Sequence, residues 1–117
     1  MLPQKDQRWV FSRDCLPLPA GKGVTRRILA YTDTLMCVEN QFEAGAEGPL
    51  HSHPHTQITY VLSGAFSFTI EGETHTVRAG DALLKTNGVE HGCLCLEAGA
   101  LLDVFTPMRE DFLPESK

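Results

Sequence analysis

The residues best suited to chemistry in this chain fall in two stretches, Gly45 to Gly64 and Gly80 to His91. His51 and His53 lie two residues apart, so on an extended strand both imidazoles leave the same face and converge on one ion. Gln57 opens the next β-rich run, and its side-chain carbonyl oxygen completes that face. His91 comes from a different strand, after the Asn87-Gly88 turn. Three imidazoles and one oxygen would hold a divalent cation and leave positions open for substrate, the pattern of a catalytic site rather than a closed structural one. None of the four donors is charged, so the ion keeps its full positive charge. That favours Lewis-acid work on an anion over redox cycling.

The remaining histidines read differently. His75 lies in the alternating run Glu73-Thr-His75-Thr-Val77 and reads as a surface residue. His55 shares the parity of His51 and His53, but Pro54 intervenes and is expected to turn it away. Asp103 is a carboxylate inside an otherwise apolar strand, where it needs either a partner or a task. Its two expectations are a proton-transfer role and a structural bond to a ligand imidazole or a buried backbone N–H.

These side chains must be carried by strands. The chain alternates short β-rich runs with turn signals, and no long stretch has amphipathic helical spacing. Expected strands cover 24–31, 35–42, 57–62, 66–70, 74–78, 82–85, 92–96 and 101–106, separated by pairs such as Ser63-Gly64, Glu71-Gly72 and Asn87-Gly88. Eight or so strands at this spacing predict an all-β jelly-roll barrel. Side-chain alternation predicts the inward faces. Gln57, Thr59 and Val61 should point in together, as should His91, Cys93 and Cys95, and Leu101, Asp103 and Phe105. Residues 1–22 are read as an N-terminal arm, with a loop over Leu16 to Gly21, and 109–117 as an acidic tail or short terminal turn.

The 117 residues fit one domain, and its core needs no disulfide staples. With 10 Lys and Arg against 15 Asp and Glu, the formal charge is −5. That balance argues against nucleic-acid and anionic-membrane partners, both of which need a basic field. The start of the chain has no apolar signal segment, and no run reaches the length of a membrane span, so a cytoplasmic protein is expected. Cys15, Cys37, Cys93 and Cys95 form no CxxC and are read as buried free thiols.

The two stretches resemble the cupin motifs. Gly45-x5-His51-x-His53-x3-Gln57-x6-Gly64 matches the first cupin pattern at every spacing, with Gln57 where most cupins carry Glu. Gly80-x5-Thr86-x-Gly88-x2-His91-x3-Cys95 follows the second, with Thr86 in place of Pro and Cys95 in place of Asn. The stretch from Leu102 to Leu113, together with the glutamine, looks like the KdgF-type pectin-degradation cupins, although Thr106 and Met108 depart mildly from that tail pattern. The resemblance implies a single-domain cupin barrel with one metal ion, nickel or zinc favoured over manganese, iron or cobalt, on His51, His53, Gln57 and His91. It implies linearisation of 4,5-unsaturated uronate monosaccharides, with Asp103 and Arg109 catalytic and with Phe105 and Arg109 binding the substrate.

The residues supply the chemistry of those roles. Arg109 is expected to grip the substrate carboxylate with its guanidinium fork, against the alternative of a surface pair with Glu110, Asp111 or Glu115. Phe105 is expected to wall the sugar ring or to be plain core. Two other activities compete: an Fe(II) cupin dioxygenase and a sugar-acid binding module without catalysis. A homodimer is expected, with Arg8-Trp9-Val10-Phe11 adding to a neighbour's sheet edge or packing on its own barrel.

Overall fold

The structure is a computed structural model that describes residues 1–113. Its strands are β1 (Leu18–Pro19), β2 (Val24–Thr32), β3 (Leu35–Phe42), β4 (Glu47–His51), β5 (Thr56–Val61), β6 (Ala65–Ile70), β7 (Glu73–Arg78), β8 (Ala82–Lys85), β9 (His91–Glu97) and β10 (Gly99–Thr106). Short 3-10 turns form at Ser12–Asp14 and Glu110–Phe112. Every strand pairing is antiparallel, in a six-stranded sheet β1-β2-β3-β10-β5-β8 and a four-stranded sheet β4-β9-β6-β7. The two sheets face each other as the jelly roll that the strand spacing predicts.

Two strands escape the sequence reading, and proline explains both. β1 contains Pro19 and pairs only Leu18 with Arg26 and Pro19 with Thr25. β4 contains Gly48-Pro49 and carries a register shift between Gly48 and His51. Both lie at sheet edges, where a residue lacking an N–H costs no ladder bond.

The alternation expected within strands holds. Gln57, Thr59 and Val61 are buried while Ile58, Tyr60 and Leu62 are exposed. His91 and Cys95 are buried and Cys93 half-buried, with Leu94 and Leu96 exposed; Leu101, Asp103 and Phe105 are buried. The cysteines are all free thiols, but only Cys15 and Cys95 are buried, because Cys37 and Cys93 keep partial exposure.

The inward faces make two apolar clusters. One contains Val24, Phe42, Val61, Phe66, Phe68, Cys95 and Leu101 and spans both sheets, with Phe42 and Phe66 edge to face at 5.3 Å. The other contains Ile28, Met36, Val38 and Phe105 and is covered by Phe112 and Leu113 of the C-terminal segment. That segment folds onto the barrel and is no free tail as far as residue 113; residues 114–117, and with them Glu115, lie outside the described residues. At the other terminus Trp9 and Phe11 are exposed, Trp9 at 76%, so neither packs into its own barrel. No helix among the described residues is long and apolar enough to cross a membrane.

Strand register brings the chemistry together. Met36, Phe105, Gln57 and Lys85 form one transverse row across β3, β10, β5 and β8, and Val38, Asp103, Thr59 and Leu83 form the next. On the opposing sheet His51 stands directly across from His91. Gly92 permits that approach, since a Cβ there would lie 2.8 Å from the Gly48 carbonyl oxygen and 2.9 Å from the Leu50 nitrogen.

Candidate metal centre

His51, His53 and His91 gather so that one ring nitrogen from each lies within 4.8 Å of the others. His51 ends β4, whereas His53 lies just beyond the strand, in the turn before β5. The expectation of two histidines on one extended strand is corrected to that extent: the strand ends at His51, and the segment before β5 carries the second imidazole inward. His55 stays outside the three-histidine group, with its ring 5.2 Å from His53 and 6.2 Å from Phe105. His75 is far out on β7, exposed and bonded to Glu73.

Backbone carbonyls set the tautomers. His51 Nδ1 is 2.7 Å from the Pro49 carbonyl oxygen, and His91 Nδ1 is 3.1 Å from that of Val89. A carbonyl only accepts, so in the neutral rings Nδ1 carries the proton and Nε2 the lone pair a cation needs. His53 differs: its Nε2 is 3.1 Å from Gln57 Oε1, and its buried Nδ1 has no hydrogen-bond partner.

Burial, with Arg109 as the next contributor, pushes the His53 pKa down to about 4. Burial, then the charge of Lys85, does the same to His91. Both imidazoles are therefore neutral at neutral pH.

Gln57 is oriented by Asp103. Asp103 Oδ1 accepts hydrogen bonds from Gln57 Nε2 at 2.8 Å and Thr59 Oγ1 at 2.5 Å, and its Oδ2 accepts from Asn40 Nδ2 at 2.7 Å. A carboxylate accepts only, so it demands the NH2 end of the amide and leaves Oε1 facing the histidines. Gln57 Nε2 also donates to Thr59 Oγ1 at 3.2 Å. The expected partner of Asp103, an imidazole or a backbone N–H, is replaced by this amide. Asn40 is held in turn by Arg26, whose Nε donates to Asn40 Oδ1 at 3.1 Å.

The residues fit a divalent metal ion. The donors are neutral, two rings have their protons committed away from the centre, and Gln57 Oε1 lies beside His53 Nε2. Their 3.1 Å separation is near the ~3.0–3.4 Å that two ~2.1 Å bonds at about 90–110° produce.

Beside this centre lies a cavity of about 820 Å³, lined by His51, Gln57, His91, Asp103, Phe105 and Lys85 among others. Phe105 is 2% exposed and serves both as core and as cavity wall, edge-on to His53 at 5.9 Å and to Phe112 at 5.5 Å. Arg109 also lines the cavity, but its fork is engaged: Nε and Nη2 donate to the two carboxylate oxygens of Asp111 at 3.0 and 2.8 Å. That bond, first among its causes, lowers the Asp111 pKa. Phe112 carries both Arg26 and Arg109 over its ring, with the guanidinium carbons 3.7 and 4.3 Å from the centroid.

Arg26, Asn40 and Lys85 escape the sequence reading. Thr59 was expected to point inward beside Gln57 but not to bond Asp103. Cross-strand packing brings Asn40 and Thr59 to Asp103 and Lys85 opposite Gln57, and Arg26 joins the group only through Asn40.

Known proteins agree with this architecture. The sequence pattern of the cupin domain matches residues 39–105. The pectin degradation protein KdgF of Dickeya dadantii is 43% identical over 95 residues, covering 80% of this chain and 86% of that protein. An RmlC-like cupin from Shewanella frigidimarina superposes with a TM-score of 0.91 at 35% identity, over 95% of this chain and all of that one. KdgF from a Halomonas species superposes at 0.88, also at 35% identity, covering 92% and 99% of the two chains. With its motif histidines gathered inside a two-sheet barrel, this chain belongs to the cupin family and is similar to KdgF over most of its length.

Proposed function

We propose that this cupin opens the ring of 4,5-unsaturated uronate monosaccharides from pectin or alginate breakdown and delivers their linear keto form. The observation that carries the reading is the orientation of Gln57 by Asp103, which places a neutral amide oxygen in the histidine cluster and a carboxylate directly behind it. The similarity to KdgF supplies the substrate class.

The reaction is an isomerisation. The anomeric hydroxyl loses its proton, the bond from the anomeric carbon to the ring oxygen breaks, and the freed enolate gains a proton at the adjacent alkene carbon. A divalent ion on His51, His53, His91 and Gln57 would supply Lewis-acid stabilisation of the negative charge developing next to the substrate carboxylate, typically worth several kcal/mol.

Asp103 takes the anomeric proton and returns it to carbon. Its Oδ2 has one partner, Asn40, and so keeps acceptor capacity, while Oδ1 is saturated by Gln57 and Thr59. Phe105 and Phe112 wall the ring and exclude water, and that low dielectric strengthens each charge interaction. Arg109 borders the substrate with its fork held by Asp111, and its charge favours the bound acid from that side in the low dielectric of the cavity.

The test is to mix metal-loaded protein with lyase-generated unsaturated uronate and follow the loss of ultraviolet absorbance as the conjugated alkene disappears. Acceleration over buffer, abolished by chelation and by Asp103→Ala, is the expected outcome. A metal-loaded protein that leaves the absorbance decay at the buffer rate overturns the reading, and sugar binding without turnover then favours a binding module. Oxygen consumption coupled to substrate loss would point to a dioxygenase.

A further inference from the structure

Lys85 ends β8 with its side chain turned into the barrel, where it is 2% exposed. In register it stands opposite Gln57, one strand further from Phe105 and in the same transverse row. Its Nζ rests 4.7 Å from the centre of the Phe68 ring and borders the cavity.

Burying a lysine is costly unless a counter-charge meets it. Among the described residues, no carboxylate forms an ion pair with Lys85. Asp103 is the buried acid of the cavity, and three other side chains already hold it. Arg109, the other cation close to Phe105, is forked onto Asp111. Arg26, which also lines the cavity, is bonded to Asn40 and stacked on Phe112. Burial works against the charge of Lys85, and Asp103 is the carboxylate that most opposes this. Lys85 is thus the deep cation of the cavity with no hydrogen-bonded or ion-paired protein partner among the described residues, in a chain of net charge −5. Phe68 offers its ring face, which holds an ammonium in place without neutralising it.

We infer that Lys85 is the anchor for the ligand's carboxylate at the inner end of the cavity, and so the residue that selects uronic acids over neutral sugars. The inference rests on the reading of the cavity as a sugar-acid site. The arriving carboxylate brings the missing counter-charge, and the paired ammonium then fixes which end of the sugar lies deepest. Arg109, nearer the C-terminal segment, closes over the other side. A neutral sugar would leave the ammonium buried and unpaired, so the penalty falls on the wrong ligand.

The experiment compares the zinc-loaded wild type, Lys85→Met and Lys85→Arg by calorimetry with galacturonate and with its neutral methyl ester, with zinc content measured in each. The methionine variant keeps the length of the buried stem and removes the charge. It should bind galacturonate roughly ten- to a hundredfold more weakly, the loss expected for a hydrogen-bonded charge pair. Its affinity for the ester and its zinc content should be unchanged, and Lys85→Arg should recover part of the loss. With unsaturated uronate, KM should rise and kcat change little, the signature of lost binding shared by ground and transition states. Equal galacturonate affinity in wild type and Lys85→Met would overturn the inference, and so would equal weakening for acid and ester. A wild type that binds galacturonate but turns nothing over would sink the proposed reaction and leave Lys85 standing. Turnover that survives Lys85→Met with KM unchanged would sink Lys85 alone. A wild type that binds neither compound would overturn Lys85 as the anchor, and it would sink the proposed reaction too if unsaturated uronate also decayed at the buffer rate.

Discussion

Asp103 accepts a hydrogen bond from Gln57 and thereby decides which end of that amide meets the histidines. A glutamate at position 57 would set two carboxylates against each other at this contact, so Gln57→Glu alone should cost metal affinity and stability. Asp103→Asn alone turns one of the two acceptor oxygens into a donor, so the side chain can no longer accept from Gln57, Thr59 and Asn40 together. Support of this kind is typically worth about 10- to 100-fold in metal affinity. The pair Gln57→Glu with Asp103→Asn restores a donor facing an acceptor. A double-mutant cycle on zinc affinity should therefore show the double variant binding more tightly than the sum of the single losses predicts. Additive losses would mean that the two side chains do not act through this bond.

His53 and His91 set a pH dependence with a definite sign. Their folded pKa values lie near 4, against about 6.5 in an unfolded chain. Between those values the unfolded chain binds more protons, so the stability held by the neutral rings is complete above about pH 6.5 and is lost as pH falls towards 4. The loss is on the order of 1–3 kcal/mol per ring. Urea denaturation of metal-free protein at a series of pH values is the check, and a flat profile from pH 7 to 4 would contradict the assignment.

At the scale of elements, the site depends on how closely β4 lies against β9. Gly92 follows His91 directly, and the backbone of β4 fills the space a side chain would need. Gly92→Ala should push the β4 edge outward, separate His51 from His91 and weaken metal binding far more than an alanine in an open strand would. Titration of the variant with zinc, alongside its thermal midpoint, measures both effects. Wild-type affinity in a folded Gly92→Ala protein would show that the close approach does not seat the centre. The C-terminal 3-10 turn contributes as well, since Phe112 holds Arg26 and Arg109 against its ring in the cavity lining.

At the scale of the whole molecule, a ligand that binds only the folded chain adds stability. Zinc at about 100 times its dissociation constant should contribute about 2.7 kcal/mol, visible as a higher thermal midpoint that chelation reverses. We also propose that two copies pair in solution. The outer face of the six-stranded sheet sets Leu84, Ile58, Val104 and Cys37 in one row and Ala82, Tyr60, Leu102 and Glu39 in the next, and Leu84 is 60% exposed. Sedimentation should report twice the 12.9 kDa of one chain, and Tyr60→Glu should shift it towards the monomer. A wild type that sediments as one chain removes the pairing.

Much of this protein could be read along the chain. Alternation along β5, β9 and β10 predicted their inward faces, because side-chain direction in a strand is a local property with a period of two. The spacing of His51, His53, Gln57 and His91 pointed to one centre, but alternation on one strand was not the route for His53, which reaches it from the segment between β4 and β5. β1 and β4 could not be read, because proline and glycine write a loop signal that only an edge position overrides. The orientation of Gln57, the hold of Arg26 on Asn40, the capture of Arg109 by Asp111 and the unpaired charge of Lys85 belong to the tertiary structure alone. Each is a contact whose partner is chosen by strand register or chain reversal, and neither leaves a periodic trace in the sequence.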